Sequence, residues 1–99
     1  MEDNAVIVQC YGLHSARQID GLTILNPRTS TYYELSVTAA FIWDRFEHPS
    51  AIAAVKETTV RKFAVSVHEV GAQLDAFIGE MVSEGLLRVA DTEEHIGVK

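Results

Sequence analysis

The hydrophobic positions of this chain change period partway along it. Val6–Gln9 is a short run rich in β-branched residues. Residues 12–21 are polar and read as a loop. Leu22-Thr-Ile-Leu25 and Thr31-Tyr-Tyr-Glu-Leu35 read as strands, because β-branched and aromatic residues suit a pleated, half-buried surface. Asn26-Pro27-Arg28-Thr29-Ser30 between them has turn chemistry: proline fixes φ, and Asn and Ser bond locally to the backbone. The two strands therefore form a predicted hairpin. In the second strand Thr31, Tyr33 and Leu35 share one face, and Tyr32 and Glu34 the other.

From there the period is helical. Ala39, Ile42, Trp43 and Phe46 fall on one face, with Ser36 placed as N-cap. His48-Pro49-Ser50 ends this helix and opens a second, whose stripe of Ile52, Val55, Thr59 and Phe63 runs to about Lys62. That stripe is weakened by Thr58, Thr59 and Val60, which are poor helix formers. A third helix is the best marked. Ser66 and Glu69 make a capping box, Val70, Leu74, Phe77, Ile78, Met81 and Val82 follow at amphipathic spacing, and Gly85 is a stop signal. Residues 86–89 suit a short strand. Residues 90–99 are polar and are expected to fray. A hairpin, three helices and a last short strand predict an α+β, winged-helix-like domain spanning residues 1–99.

Composition narrows the function. With 99 residues and 47% hydrophobic content, the chain suits one domain with one modest core. No apolar run approaches the roughly 20 residues of a membrane helix. The start, acidic and without a basic region ahead of an apolar stretch, is not that of a secretory signal. The single cysteine, Cys10, has no internal disulfide partner, so a reducing, cytoplasmic setting is the expectation. The net charge of −6 opposes nucleic acid. The helix that would enter a DNA groove carries Glu69, Asp75, Glu80 and Glu84 and no cation before Arg88.

Chemistry-bearing motifs are missing. His14, His48, His68 and His95 lie 20 or more residues apart, and no HxxxH, CxxC or HExxH occurs, so no metal site is expected. Cys10 has no histidine placed to activate it and reads as a small buried hydrophobe. The glycines are dispersed rather than gathered into a phosphate loop. Trp43 is in register with Ala39 and Phe46 and reads as core. The chain is therefore expected to be a binding module rather than an enzyme, without a cofactor. Its candidate surface is the strand Thr31–Leu35, since a hairpin edge with unpaired N–H and C=O groups can accept an added strand from a peptide.

Two stretches carry a resemblance. Ile24-Leu-Asn-Pro-Arg-Thr-Ser-Thr-Tyr-Tyr-Glu-Leu35, followed by Ser36-Val-Thr-Ala-Ala-Phe-Ile-Trp43, resembles the PqqD-like family, also called RiPP recognition elements. Residues 70–87, with Phe77-Ile78 and Glu84-Gly85-Leu86-Leu87, resemble that family's third helix and its exit. The resemblance implies an N-terminal three-stranded antiparallel sheet packed on three helices and no catalysis. It implies binding of the leader segment of a ribosomally made precursor peptide, presented to a modifying enzyme such as a peptidase, cyclase or radical enzyme, with neither nucleic acid nor membrane as partner. The leader would add as a strand along Thr31–Leu35, with side chains entering a groove against the third helix. Carried over by position, the peptide-binding residues are Thr31, Tyr32, Tyr33, Glu34 and Leu35 on the strand, and Val70, Gln73, Leu74 and Phe77 on the helix. Leu74 and Phe77 are equally placed to belong to the core. Two departures stand out. Phe46-Glu47-His48-Pro49 occupies the place of the Cys-Asp-Gly-like stretch usual in pyrroloquinoline quinone biosynthesis, and Gln73 lies near where many lasso-peptide members are acidic. The alternative is a winged-helix DNA-binding or regulatory module, and a helix-mediated enzyme scaffold is a third reading.

Overall fold

The computed structural model describes residues 2–90. The elements run β1 (Val6–Gln9), β2 (His14–Gln18), β3 (Gly21–Asn26), β4 (Thr31–Leu35), α1 (Val37–Arg45), β5 (Ser50–Ala51), α2 (Ile52–Phe63), α3 (Val67–Ser83) and β6 (Leu87–Val89). The α+β class with three helices and an N-terminal three-stranded antiparallel sheet is as expected. Of the tail expected to fray, Ala90 donates its N–H to the Val6 carbonyl at 2.8 Å, and residues 91–99 lie outside the described residues.

Two three-stranded antiparallel sheets form, in the orders β2-β3-β4 and β5-β1-β6. The segment expected as a loop contains β2. Its five residues are all exposed, so no buried face leaves a mark in the sequence; the pairing of His14 through Gln18 with Leu25 through Gly21 is made by the backbone. The early strand Val6–Gln9 does not join this sheet. It pairs with Ser50–Ala51 on one side and Leu87–Val89 on the other, tying the segment ahead of the hairpin to the strand that follows α3.

The β3–β4 turn follows its chemistry. Asn26 is buried, its side-chain Oδ1 accepts from the Arg28 N–H at 3.1 Å and its carbonyl from the Thr29 N–H at 3.3 Å, and Ser30 closes the turn at φ 58°. Ser36 Oγ accepts from the Ala39 N–H at 3.2 Å and Ser66 Oγ from the Glu69 N–H at 3.1 Å, capping α1 and α3 as read from the sequence. Gly85, at φ 80°, closes α3: its N–H bonds to the Val82 carbonyl and the Leu86 N–H to that of Met81, satisfying two carbonyls of the last turn.

One core lies beneath both sheets. Ile7, Leu22, Ile24 and Leu35 from the strands meet Ile42, Trp43, Phe46, Ile52, Val55, Leu74, Ile78, Leu86 and Leu87. Trp43 is a core residue, as its register required. Cys10 is half-buried rather than fully so, and burial raises its thiol pKa against the opposing pull of Arg88 and then Arg28.

Candidate functional site

The strand half of the candidate site is β4. Among the described residues it pairs with β3 alone, so its other edge is open. Its two faces differ as the alternation predicts. Leu35 is buried opposite Leu22, and Tyr33 packs on the core opposite Ile24. Tyr32 is 66% exposed and shares the outer face with Glu34. Thr31 Oγ1 donates to the Thr29 carbonyl at 3.3 Å, bracing the strand's start against the turn.

Tyr33 also ties β4 to α3. Its hydroxyl donates to Glu84 Oε1 at 2.9 Å, across 51 residues of sequence. This hydrogen bond is the main reason that the phenol pKa is raised. Partial desolvation and the Glu84 charge add to the effect, and Thr31 opposes it.

The helix half is a groove that opens where β4 ends. A cavity of about 320 Å³ is walled by Ser36, Ala39 and Ile42 on one side and Gln73, Leu74 and Phe77 on the other, with Thr38, Thr59 and Val70 completing it. A second cavity of about 370 Å³ shares Thr38, Thr59, Val70 and Gln73 and extends to Phe63, Val65 and Glu69. The two are lobes of one groove running along α3 between α1 and α2. Its lining is apolar with a few neutral polar groups, apart from Glu69 at the far end. The Thr59 hydroxyl is satisfied by donating to the Val55 carbonyl at 2.8 Å, so it does not call for a ligand.

All four helix residues singled out in the sequence, Val70, Gln73, Leu74 and Phe77, line the first lobe. Gln73 is exposed on the rim, Phe77 is half-buried on the wall, and Leu74, 1% exposed, is at once core and groove floor. None of residues 31–35 lines either lobe; Ser36, read from sequence only as a cap, is where the groove meets the strand. Sequence reasoning missed Thr38, Ala39, Ile42 and Thr59 as groove residues, and Glu84 as the partner of Tyr33. No group of three or more His, Cys, Asp or Glu able to hold a metal ion occurs among the described residues.

Comparison with known proteins now bears on this geometry. The family described as coenzyme PQQ synthesis protein D (PqqD) matches residues 21–87, from the first residue of β3 to the first of β6. The chain belongs to the PqqD family. The matched span contains the whole of β4, the groove and all three helices of this PqqD-family chain, but neither β1 nor β2. Among solved structures, TbiB1 in complex with the TbiA(beta) leader peptide superposes with a TM-score of 0.75 at 22% identity, over 85% of this chain and 99% of that one. That match shows a shared fold. No curated protein matches the chain.

Proposed function

We propose that this PqqD-family chain binds the leader segment of a ribosomally made precursor peptide, which adds as a strand to the open edge of β4 and continues past Ser36 into the groove along α3. The observation that carries this reading is the juxtaposition of an unpaired strand edge with an apolar groove that begins at Ser36, the residue that follows the strand. The family assignment supports it, as does the fold shared with TbiB1, whose structure holds a leader peptide. Main-chain pairing supplies affinity tolerant of sequence, and the groove supplies selectivity for side chains. Leader ordering opposes binding, so affinities in the micromolar to submicromolar range are expected.

In this reading the chain does no chemistry of its own. It works in the cytoplasm, holding the peptide for a modifying enzyme such as a peptidase, cyclase or radical enzyme. No described helix is long and apolar enough to cross a membrane. The exposed carboxylates Glu69, Asp75 and Glu80 on α3 oppose docking on a phosphate backbone, which leaves the nucleic-acid alternative without support.

The test uses the leader of the precursor encoded beside this gene, titrated against the labelled chain by amide NMR. Shifts are expected in β4, α3 and the groove-lining parts of α1 and α2; no response in β4 or α3 at high micromolar leader overturns the reading. Alternate residues of a strand direct their N–H groups to opposite edges. Of Tyr32→Pro and Tyr33→Pro, therefore, one removes a donor to the peptide and the other a donor to β3. The first should weaken binding about fivefold, the worth of roughly one net hydrogen bond, with the hairpin still folded.

A further inference from the structure

At the far end of the groove, α1 and α2 build a feature that neither the fold nor the strand-addition reading requires. Phe41 and Phe63 meet edge to face, with ring centroids 5.3 Å apart. The Arg45 guanidinium lies 4.3 Å from the centre of the Phe41 ring, and the Lys62 ammonium 6.0 Å from it. Both cations are exposed, and neither forms an ion pair among the described residues. Arg17, Lys56 and Arg61, by contrast, are all paired with carboxylates. Each of the two stands in the last turn of its helix, where the macrodipole favours a cation, but the dipole does not explain why both converge on one aromatic ring.

The placement joins this patch to the groove. Phe63 lines the second lobe, and Thr38, one helical turn before Phe41, lines both lobes. A peptide that follows the second lobe to Phe63 comes to the ring that packs on Phe41, over which Arg45 and Lys62 sit. In a chain of net charge −6, two unpaired cations beside a binding groove form a local positive site. We infer that this patch receives a carboxylate-bearing stretch of the same leader: the bound peptide carries Asp or Glu on the side of its strand-forming segment that leaves the groove at Phe63. The inference rests on the leader-binding reading and specifies its charge pattern. Glu69, on the α3 side of the same lobe, repels such a carboxylate and so directs it to the α1–α2 side.

The experiment measures calorimetric affinity for the neighbouring precursor's leader, and for the same leader with its acidic residues replaced by Asn or Gln. Both peptides are tested against the wild-type chain, Arg45→Gln/Lys62→Gln and Glu69→Gln. The double variant should bind the natural leader about five- to tenfold more weakly, as expected for two solvent-facing charge contacts, and should lose most of the salt dependence. The neutralised leader should bind both chains alike, and Glu69→Gln should bind the natural leader more tightly. Circular dichroism checks that each variant is folded; both targeted cations are on the surface. Equal affinity of the wild-type and double-variant chains for the natural leader overturns the inference while leaving the leader-binding reading intact. No binding to the wild-type chain overturns both. If sedimentation shows that the double variant abolishes self-association while leader affinity is unchanged, the patch receives a second copy of the chain and the inference falls.

Discussion

At the scale of single residues, Gly21 has the least room of the described glycines. It opens β3 at φ 152°, and a Cβ there would run into the backbone carbonyl of Leu35, the last residue of β4. Gly21→Ala combines a strained backbone with overpacking against main chain that has no rotamer to escape into. A loss of about 3 kcal/mol is expected, read as a lower urea midpoint with an unchanged slope. Tyr33 makes a prediction about pH. Its phenol pKa is raised in the folded chain, first by donating to Glu84, so the neutral form is the one the fold favours. The linked stability is fully present below the ordinary tyrosine value of 10.0 and is lost as pH rises through the higher folded value. Tyr33→Phe should therefore remove the alkaline tail of the tyrosinate titration seen by ultraviolet difference spectroscopy, and with it this part of the alkaline loss of stability. An unchanged tail would show that the bond to Glu84 is not formed in solution.

Among the elements, legibility in the sequence follows burial. The strands Gly21–Asn26 and Thr31–Leu35 alternate because one face is in the core, and all three helices announce themselves by apolar stripes and, for α1 and α3, by serine caps. β2 has none of this. His14-Ser-Ala-Arg-Gln18 offers the sheet only backbone groups, and its hairpin signal, Asp20-Gly21, is out of place by one: the turn is Ile19-Asp20, and Gly21 already pairs with Gln18. β5 is two residues long, too short for any period to show. The groove was half legible. Helical spacing put Val70, Leu74 and Phe77 on one stripe, with Gln73 beside them, and the family resemblance made that stripe a wall. The opposite wall, Thr38, Ala39 and Ile42 of α1 with Thr59 of α2, depends on the angles at which three helices cross, which a one-dimensional pattern does not contain. The bond from Tyr33 to Glu84 was hidden for the same reason: both residues have unremarkable local roles, as a strand aromatic and as the cap of α3, until tertiary packing brings them together.

For the whole molecule, the floor of the groove and the centre of the core are the same side chains. Leu74, Val70 and Ile42 line the first lobe and belong to the cluster that includes Ile7 and Ile24. A peptide filling this lobe thus covers the outer surface of the packing that holds both sheets, so occupancy and stability are coupled. Leader at a hundred times its Kd should stabilise the chain by about 2.7 kcal/mol, which for a chain of this size raises the melting midpoint by roughly 10–20 °C. Two variants on neighbouring positions of α3 separate floor from rim. Leu74→Ala removes a residue that is 1% exposed and should cost about 2–5 kcal/mol of folding stability, a large share of a marginal total, and weaken leader binding as well. Gln73→Ala removes an exposed side chain from the rim, leaving stability within about 0.5 kcal/mol while still lowering affinity. Urea unfolding with and without leader measures both quantities on one sample. If Leu74→Ala destabilises the chain but binds leader as tightly as wild type, the first lobe is a dent in the core that the peptide does not use, and the peptide's contacts must be confined to the β4 edge.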